Sequence, residues 1–481
     1  MIKLIIGTFT TLFLLCNTFV IFYWRDTAYD PTAIDLVAYF VLLPAVLCAL
    51  ILSPYFIYKG IQYQKEQKLA AQKKAEEQAE QKEQEALEQA KPKPLEVQHI
   101  SVNIFSSAAW HSFGENEQIV EEIQQFKSPE LDQNLFNAYG LPVLSYRIKD
   151  LDDLTAEDED ADFNVITMRE KRIQALIQQQ LEQHVESLFC IADHLKQSAL
   201  FYDSELAYQY RMHPAWVDPN YTQDDALEQA AQSEAAISRL NRLNIHVLLA
   251  ENLIHQWNDD YLDELKNQLS NGYGIIPEQI HLEAHFIGTA VAYTQWLSIL
   301  EQVSKQTAEV SLVINTDSEI DQEWVDEKMW QQEQYIAAEF ASSWCVANSS
   351  VNIQNLMPTK VLNLVANETE FVQSLKRKQL KDLAQFDAEQ PFLLMLDDAT
   401  DMKVVKKLQH KFDATAIETF HFLYTKQNLG DTQHLAKIFG FMLGMHLPEE
   451  LTAMMYSTDQ ESTFAFIQAF SDDEQLEHET I

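Results

Sequence analysis

The sequence predicts a layered α/β domain that follows a pair of membrane-spanning helices. From about residue 95 onward, short apolar runs typical of strands alternate with longer runs whose apolar residues recur at i, i+3 and i+4. Before that point, two runs of about 20 residues contain no charged side chain. The alternation indicates helices packed on both faces of a largely parallel sheet.

The two uncharged runs cover residues 4–24 and 36–58, and each is long enough to cross a bilayer as a helix. The segment between them contains a single basic residue, Arg25, whereas lysines follow the second run at positions 59, 65, 68, 73 and 74. The positive-inside rule then places both ends of the hairpin in the cytoplasm. Residues 1–58 are therefore predicted to be a transmembrane hairpin that holds the domain on the cytoplasmic side.

Composition divides the rest of the chain. Residues 59–94 are rich in Ala, Gln, Glu and Lys without an apolar seam, which predicts a semi-rigid helical spacer. The α/β domain is predicted in two halves, 95–355 and 356–470, and an acidic tail covers 471–481.

Eight runs are predicted to be strands: VQHISVNIF, PVLSYRI, NIHVLLA, QIHLEAHFI, EVSLVINT, KVLNLVAN, PFLLMLDDA and FHFLYT. The clearest helical patterns are EKRIQALIQQQLEQHVESLFCIADHL and YTQWLSILEQVSKQ. No repeat of 20 to 50 residues is visible, which argues against a solenoid.

Charge and cysteine content exclude several classes of protein. The chain has 34 basic and 73 acidic residues, a net charge of -39, and phosphate backbones would repel such a surface, so we expect no nucleic-acid partner.

The four cysteines form no disulfide framework, because Cys16 and Cys48 lie in the membrane runs. Cys190 and Cys345 have apolar neighbours and are predicted to be unreactive.

Few motifs of catalysis or cofactor binding are present. The sequence lacks the Gly-x-Ser-x-Gly motif of hydrolases, and NGYGIIP, its nearest approach to a phosphate loop, is predicted to be a turn. No cofactor is predicted. In HLEAH, His281, Glu283 and His285 alternate, so on a strand they would share a face that zinc could use. The preferred interpretation is a polar stripe, and no metal is predicted.

Five segments resemble condensing enzymes of the thiolase-like fold, such as β-ketoacyl synthases. Two of them, EQYIAAEFASSWCVANS and PTKVLNLVAN, resemble consecutive strands of these enzymes, and the other three contain the active-site positions. TKQNLGDTQHLAKIFGFMLG resembles their last active-site loop, with Asp431 at a histidine position. PFLLMLDDATDM resembles the strand of their His-Gly-Thr-Gly-Thr motif, with Asp397 at the histidine position. EAHFIGTAVAYTQWLSIL is similar to the helix that starts at their cysteine, with His285 near that position.

This resemblance implies a thiolase-like domain with a degenerate active site. A carboxylate donates no hydrogen bond to an oxyanion unless its pKa is strongly raised. We therefore predict that His285, Asp397 and Asp431 are vestigial rather than catalytic, and that Asp431 faces Asp397.

The overall layout resembles the proteobacterial family of type VI secretion lipase adaptor proteins, through the membrane segment, the spacer and a domain that opens with VNIFSSAAWHSFGENEQIVEEIQ. The resemblance implies a non-catalytic adaptor in the bacterial inner membrane. Its partners would be a phospholipase effector and a secretion spike protein. Two alternatives stay open: an immunity protein that holds a lipase toxin, and an acyl-transfer enzyme with another nucleophile.

Aromatic residues suggest a partner surface, since tyrosine, tryptophan and arginine are enriched at binding hot spots. The segment YQYRMHPAWVDPNY is predicted to be a proline-broken loop, and its candidate partner-binding residues are Tyr208, Tyr210, Arg211, Trp216 and Tyr221. The competing interpretation is a loop packed on its own domain.

Overall fold

The computed structural model describes residues 2–27, 31–47, 49–50, 53–54, 96–155, 166–212, 237–258, 260–331, 335–368, 370–397, 400–426, 429 and 435–470. The chain divides into two compact units, Met1–Leu95 and Glu96–Ile481. The predicted spacer and acidic tail lie outside the described residues.

The first unit contains helix α1 (Ile2–Thr27) and helix α2 (Ala33–Val37), which continues into a π-helical segment at Ala38–Leu42. Trp24 of α1 contacts the rings of Tyr39 and Phe40, with centroids 6.0 and 5.5 Å away. Among the described residues, no helix combines the length and apolarity that crossing a bilayer requires. Residues 48, 51, 52 and 55–58 of the second predicted span lie outside the described residues.

The second unit contains thirteen strands within its described residues. They are β1 (Gln98–His111), β2 (Gly114–Glu115), β3 (Glu130–Phe136), β4 (Pro142–Tyr146), β5 (Arg242–Ala250), β6 (Ile280–Ile287), β7 (Glu309–Ser318), β8 (Ala337–Asn348), β9 (Lys360–Ala366), β10 (Leu393–Met395), β11 (Phe422–Tyr424), β12 (Ala453–Tyr456) and β13 (Phe464–Ala469).

Its helices lie between these strands. They are α3 (Glu117–Gln124), α4 (Asp150–Leu154), α5 (Met168–Gln183), α6 (Val185–Tyr202), α7 (Ser204–Met212), α8 (Asp260–Tyr273), α9 (Ala292–Lys305), α10 (Gln322–Gln331), α11 (Phe371–Arg377), α12 (Ala384–Asp387), α13 (Met402–Phe412) and α14 (Ala436–Met442).

The main sheet has the order β11-β10-β12-β13-β9-β1-β8-β7-β5-β6. The two sides of the central β1–β9 pair have the same arrangement. On each side, the strand next to the pair is antiparallel to both of its neighbours, and the three strands beyond it are mutually parallel. The two sides, β1 with β5–β8 and β9–β13, are called the first and second series below.

The prediction of a largely parallel sheet is wrong, because the sheet is mixed. The pairs β1–β8, β1–β9, β7–β8, β9–β13 and β12–β13 are all antiparallel. β8 is buried along nearly its whole length. A strand that is buried on both faces is a continuous apolar run whether it pairs in parallel or antiparallel with its neighbours. The sequence pattern therefore did not distinguish parallel from antiparallel pairing.

Helices cover both faces of the sheet, as predicted. One face packs against α3, α9 and α14, and its core includes Trp296, Trp344 and Phe441, whose ring centroids lie 5.7 to 5.9 Å apart. The opposite face packs against α5, α6 and α8 in the first series and against α11 and α13 in the second. Because Trp296 belongs to α9 and Phe441 to α14, one apolar core joins the two series.

A glycine allows α14 to approach the sheet closely. A Cβ at Gly440 would overlap Oγ1 of Thr425 and lie 2.9 Å from its Cβ, and that hydroxyl donates to the carbonyl of Met395 at 3.0 Å. We expect Gly440→Ala to lower the free energy of unfolding by about 1–3 kcal/mol, the usual cost of overpacking. Urea denaturation measures the change.

The control is Gly272→Ala in α8, where no atom beyond the chain neighbours and the backbone of the same helix lies within 4 Å of the added methyl group. Alanine should stabilise that helix by roughly 0.5–1 kcal/mol. Equal stability of Gly440→Ala and the wild type would contradict the close approach of α14.

Candidate functional site

The strand order locates the crevice in which open α/β sheets usually bind ligands. β5 pairs with β6 on one side and with β7 on the other, so the winding of the chain reverses at β5. The connecting helices α8 and α9 pack on opposite faces. Ligands of such sheets usually lie outside the carboxyl ends of the strands at this reversal. The first candidate site therefore lies just beyond the end of β7.

A buried ion pair occupies this position. Arg172 of α5 donates from Nε and Nη2 to the two carboxylate oxygens of Glu339, at 2.8 and 2.6 Å. Glu339 is fully buried and also accepts hydrogen bonds from the backbone N–H of Ile148 and the hydroxyl of Ser318. Two-pronged pairing with additional hydrogen bonds is the geometry that compensates the cost of burying two charges.

A second group of charges lies beside the first. Arg169 donates to Oδ1 of Asp317 at 2.8 Å, and its guanidinium lies 4.5 Å from the ring of Trp324. Glu319 accepts a hydrogen bond from the hydroxyl of Tyr335 at 2.6 Å. Burial and the neighbouring Asp317 raise the pKa of Glu319 to about 8, so this carboxyl holds a proton at neutral pH.

The β3–β4 hairpin is tied to the same network on its inner side. Asp132 accepts from the hydroxyl of Ser145 at 2.7 Å and from Nε of Arg147 at 2.8 Å, and Arg147 also reaches Asp152 at 2.9 Å. Burial alone would raise the pKa of Asp132, but the bonds from Arg147 and Ser145 hold it below its ordinary value. Asp152 also binds Arg172 at 2.5 Å, so it connects the hairpin to the buried pair.

The far end of β3 is held by a side-chain amide. Gln322, in the first turn of α10, accepts from the backbone N–H of Phe136 at 2.9 Å and donates to its carbonyl at 2.8 Å. The amide thus makes the two hydrogen bonds that a neighbouring strand would make. β4 pairs in parallel with β8, so the hairpin is fixed to the main sheet as well.

A cavity of about 510 Å³ opens between these elements. It is lined by Asn134, Leu135, Arg147, Asp152, Thr155, Met168, Arg172, Ile320, Asp321, Gln322 and Glu323. Both signs of charge therefore face the cavity, and its volume is in the range of small-molecule and peptide side-chain sites.

The outer face of the hairpin is apolar and exposed. Leu131 and Leu144 are cross-strand partners with 53% and 46% of their surface exposed. Leu141 and Tyr139, at the turn, are 59% and 87% exposed, and Phe136 is 39% exposed. Large apolar side chains exposed on a hairpin that is held by buried ion pairs are typical of a protein-binding surface.

Two of the three predicted vestigial residues, Asp397 and His285, lie in separate clusters. Asp397 follows β10 and accepts hydrogen bonds from Nζ of Lys437 and Oγ of Ser457, both at 2.9 Å. Burial alone would raise the pKa of Asp397, but the Lys437 ammonium and the hydrogen bonds to the carboxylate leave it below its ordinary value. His285 lies on β6, with seven strands between β6 and β10 in the sheet order, and Asp431 lies outside the described residues.

The predicted partner loop is partly wrong. Tyr208 to Arg211 belong to helix α7 rather than to a loop. Tyr208 is 65% exposed, but Tyr210 is buried and donates its hydroxyl hydrogen to Gln279. It therefore anchors α7 to the domain and is no surface hot spot. Trp216 and Tyr221 lie outside the described residues.

The two cysteines of the second unit differ in exposure. Cys345 on β8 is buried, and burial raises the pKa of its thiol to about 12. A thiolate is therefore strongly disfavoured there at neutral pH, which opposes a nucleophilic role. Cys190 on α6 is partly exposed, and its sulfur lies 3.8 Å from the carbonyl oxygen of Asn355.

Comparison with known proteins concerns the fold alone. No family model and no curated protein matches the chain, so the resemblance to type VI secretion adaptors is not supported. The solved structures that are similar include the ishigamide ketosynthase/chain length factor, with 10% identity over 77% of this chain and 100% of that chain and a TM-score of 0.38.

Two other similar structures are a ketosynthase from module 6 of the bacillaene synthase of Bacillus subtilis and an OleA variant of Xanthomonas campestris. The first has 8% identity and a TM-score of 0.41, and covers 77% of this chain and 72% of that chain. The second has 9% identity and a TM-score of 0.33, and covers 76% of this chain and 98% of that chain. The mixed sheet with helices on both faces agrees with the predicted α/β class.

Proposed function

We propose that this chain is a non-catalytic protein-binding adaptor and that the outer face of the β3–β4 hairpin binds its partner. The observation that carries the proposal is the combination of an exposed apolar face, formed around Leu131, Leu144 and Tyr139, with an inner side fixed by buried ion pairs. A preorganised surface loses little conformational entropy when a partner binds, so more of the contact energy appears as affinity.

The partner in this proposal is a protein with an apolar patch bordered by basic residues. Asp150 and Asp153 lie in α4, which follows the hairpin, and the chain as a whole has a net charge of -39. Opposite charge at the rim speeds association and selects against acidic competitors. A phospholipase effector, with a secretion spike protein as second partner, remains the candidate from the sequence, with residues 1–58 as the anchor in the inner membrane.

Site-specific photocrosslinking in the producing cells tests this proposal. A benzophenone amino acid replaces Tyr139, and a control chain has it at Phe420, which is 45% exposed in the second series. We expect an adduct with a phospholipase at position 139 and none at position 420. Equal adducts at both positions, or none at position 139, would refute binding through the hairpin.

A double variant with uncharged polar side chains gives the quantitative result. Leu131→Gln with Leu144→Gln should weaken binding of the crosslinked phospholipase by about 2 kcal/mol or more, the usual loss at a hot spot. Both side chains are exposed, so the melting temperature should stay within about a degree of the wild type. Retained phospholipase activity in the complex identifies an adaptor, whereas loss of that activity identifies an immunity protein.

A further inference from the structure

A cluster of metal-binding side chains lies at the opposite edge of the first series from the hairpin. β6 is the last strand of the described sheet on that side, and it pairs in parallel with β5. His246 of β5 lies opposite Glu283 of β6 in the register, and Leu248 lies opposite His285. Leu282, Ala284 and Phe286 of β6 pack into the core on the other face, so the alternate residues share the face of His246.

The sequence pattern showed only part of this cluster. His281, Glu283 and His285 alternate in HLEAH, which by itself also fits a polar stripe. The fold adds His246, which is 39 residues away from His285 in sequence and only 3% exposed. Because the buried imidazole of His246 comes from the neighbouring strand, the possible metal ligands come from two strands and lie close together.

The donor atoms have the spacing that a transition metal requires. Nδ1 of His246 lies 3.0 Å from Nε2 of His285, and Oε2 of Glu283 lies 3.8 Å from that Nε2. One donor atom of each of the three residues lies within 4.8 Å of the other two. Bonds of about 2.0–2.1 Å in a tetrahedral zinc site place the ligand atoms roughly 3.3 Å apart, close to the distances observed.

We propose that His246, Glu283 and His285 bind one Zn²⁺ ion, with a water molecule in the fourth position. Two imidazoles and a carboxylate favour zinc over magnesium or calcium, which prefer oxygen ligands alone. The Glu283 and His285 side chains are 51% and 24% exposed, so the fourth position faces solvent. The ion would connect the edge strand β6 to β5, independently of the adaptor function proposed above.

Metal titration of the full chain tests this site. After removal of metal with a chelator, Co²⁺ replaces Zn²⁺ as the spectroscopic probe, and Zn²⁺ displaces it to give the affinity. We expect one equivalent of Co²⁺ with the strong visible bands of tetrahedral coordination, and a melting temperature that rises with Zn²⁺ and falls back with EDTA. Absence of tetrahedral bands at one equivalent would overturn the proposal.

Variants show which residues bind the ion. Removing a residue that only hydrogen-bonds to a metal ligand lowers metal affinity about 10- to 100-fold. Removing a ligand itself, in His285→Ala or Glu283→Gln, should therefore lower the affinity at least ~100-fold. Glu283→Gln removes the charge of a half-exposed side chain, so it keeps the test valid if His285→Ala does not fold. His281→Ala should cost less than about tenfold because water, not His281, is the fourth ligand in this proposal.

The matched control is His255→Ala, which removes an exposed histidine outside the cluster. It should bind Co²⁺ like the wild type. If Glu283→Gln and His255→Ala bind Co²⁺ equally well, the ion is bound elsewhere and the proposed site is wrong.

Discussion

Replacing Arg172 by methionine should lower the free energy of unfolding by about 3–5 kcal/mol, the usual result of removing one member of a buried ion pair. The substitution keeps much of the side-chain volume but leaves the fully buried Glu339 without its two-pronged partner. The carboxylate would retain only its bonds from Ile148 and Ser318, which do not neutralise its charge. Urea denaturation at pH 7 measures the loss.

Two further variants define the cause. Lys305→Met breaks an exposed i,i+4 pair with Glu301 in α9, so it should cost about 0.2–0.5 kcal/mol. Adding Glu339→Gln to Arg172→Met removes the unpaired charge, so the double variant should be more stable than the single one. A loss below about 1 kcal/mol for Arg172→Met would show that Glu339 takes up a proton at little cost.

Replacing Glu319 by glutamine should stabilise the protein more at pH 8 than at pH 5. The folded state binds the Glu319 proton up to about pH 8, whereas an unfolded glutamate releases it near its ordinary pKa of 4.5. Between these values the folded state therefore holds one more proton, so its stability falls as the pH rises. Glutamine has no such proton, and its amide oxygen still accepts the hydrogen bond from Tyr335.

The stability difference between Glu319→Gln and the wild type should grow from pH 5 to pH 8 and level off above pH 8. Chemical denaturation at pH 5, 6.5 and 8 measures it. Glu301→Gln on the surface of α9 is the control for the loss of an acidic side chain elsewhere. A difference for Glu319→Gln that is independent of pH would mean that this carboxyl is ionised in the folded protein.

Strand positions could be predicted from sequence far better than strand directions. The runs that became β1, β4–β7 and β9–β11 are apolar and bounded by polar residues. β3 was missed because its inward residues include Asp132, whose charge is balanced by the distant Arg147. β12, with the sequence AMMY, is short and lacks the β-branched residues that mark strands.

The candidate site was hidden for a related reason. Arg172 and Glu339 are 167 residues apart, and an arginine in a polar helix normally reads as solvated. The available signal was Glu339 itself, the only charged residue in the otherwise uncharged run AAEFASSWCVAN. A lone acid within a buried strand requires a cation, but the sequence does not say which one.

The repeated strand order has a consequence for how the chain acquires its structure during synthesis. β1 is made first but pairs along its length with β8 and β9, and the bond from Asn103 to Ser349 spans 246 residues. Likewise, β9 completes its pairing only after β13 has been made, and the hydrogen bond from Asn363 to Gln468 spans 105 residues. The pairing of each series is therefore complete only when its last strand has been made. Contacts between residues so far apart in sequence slow folding. A nascent chain released before β8 emerges would expose a long, apolar β1 with open edges to aggregation.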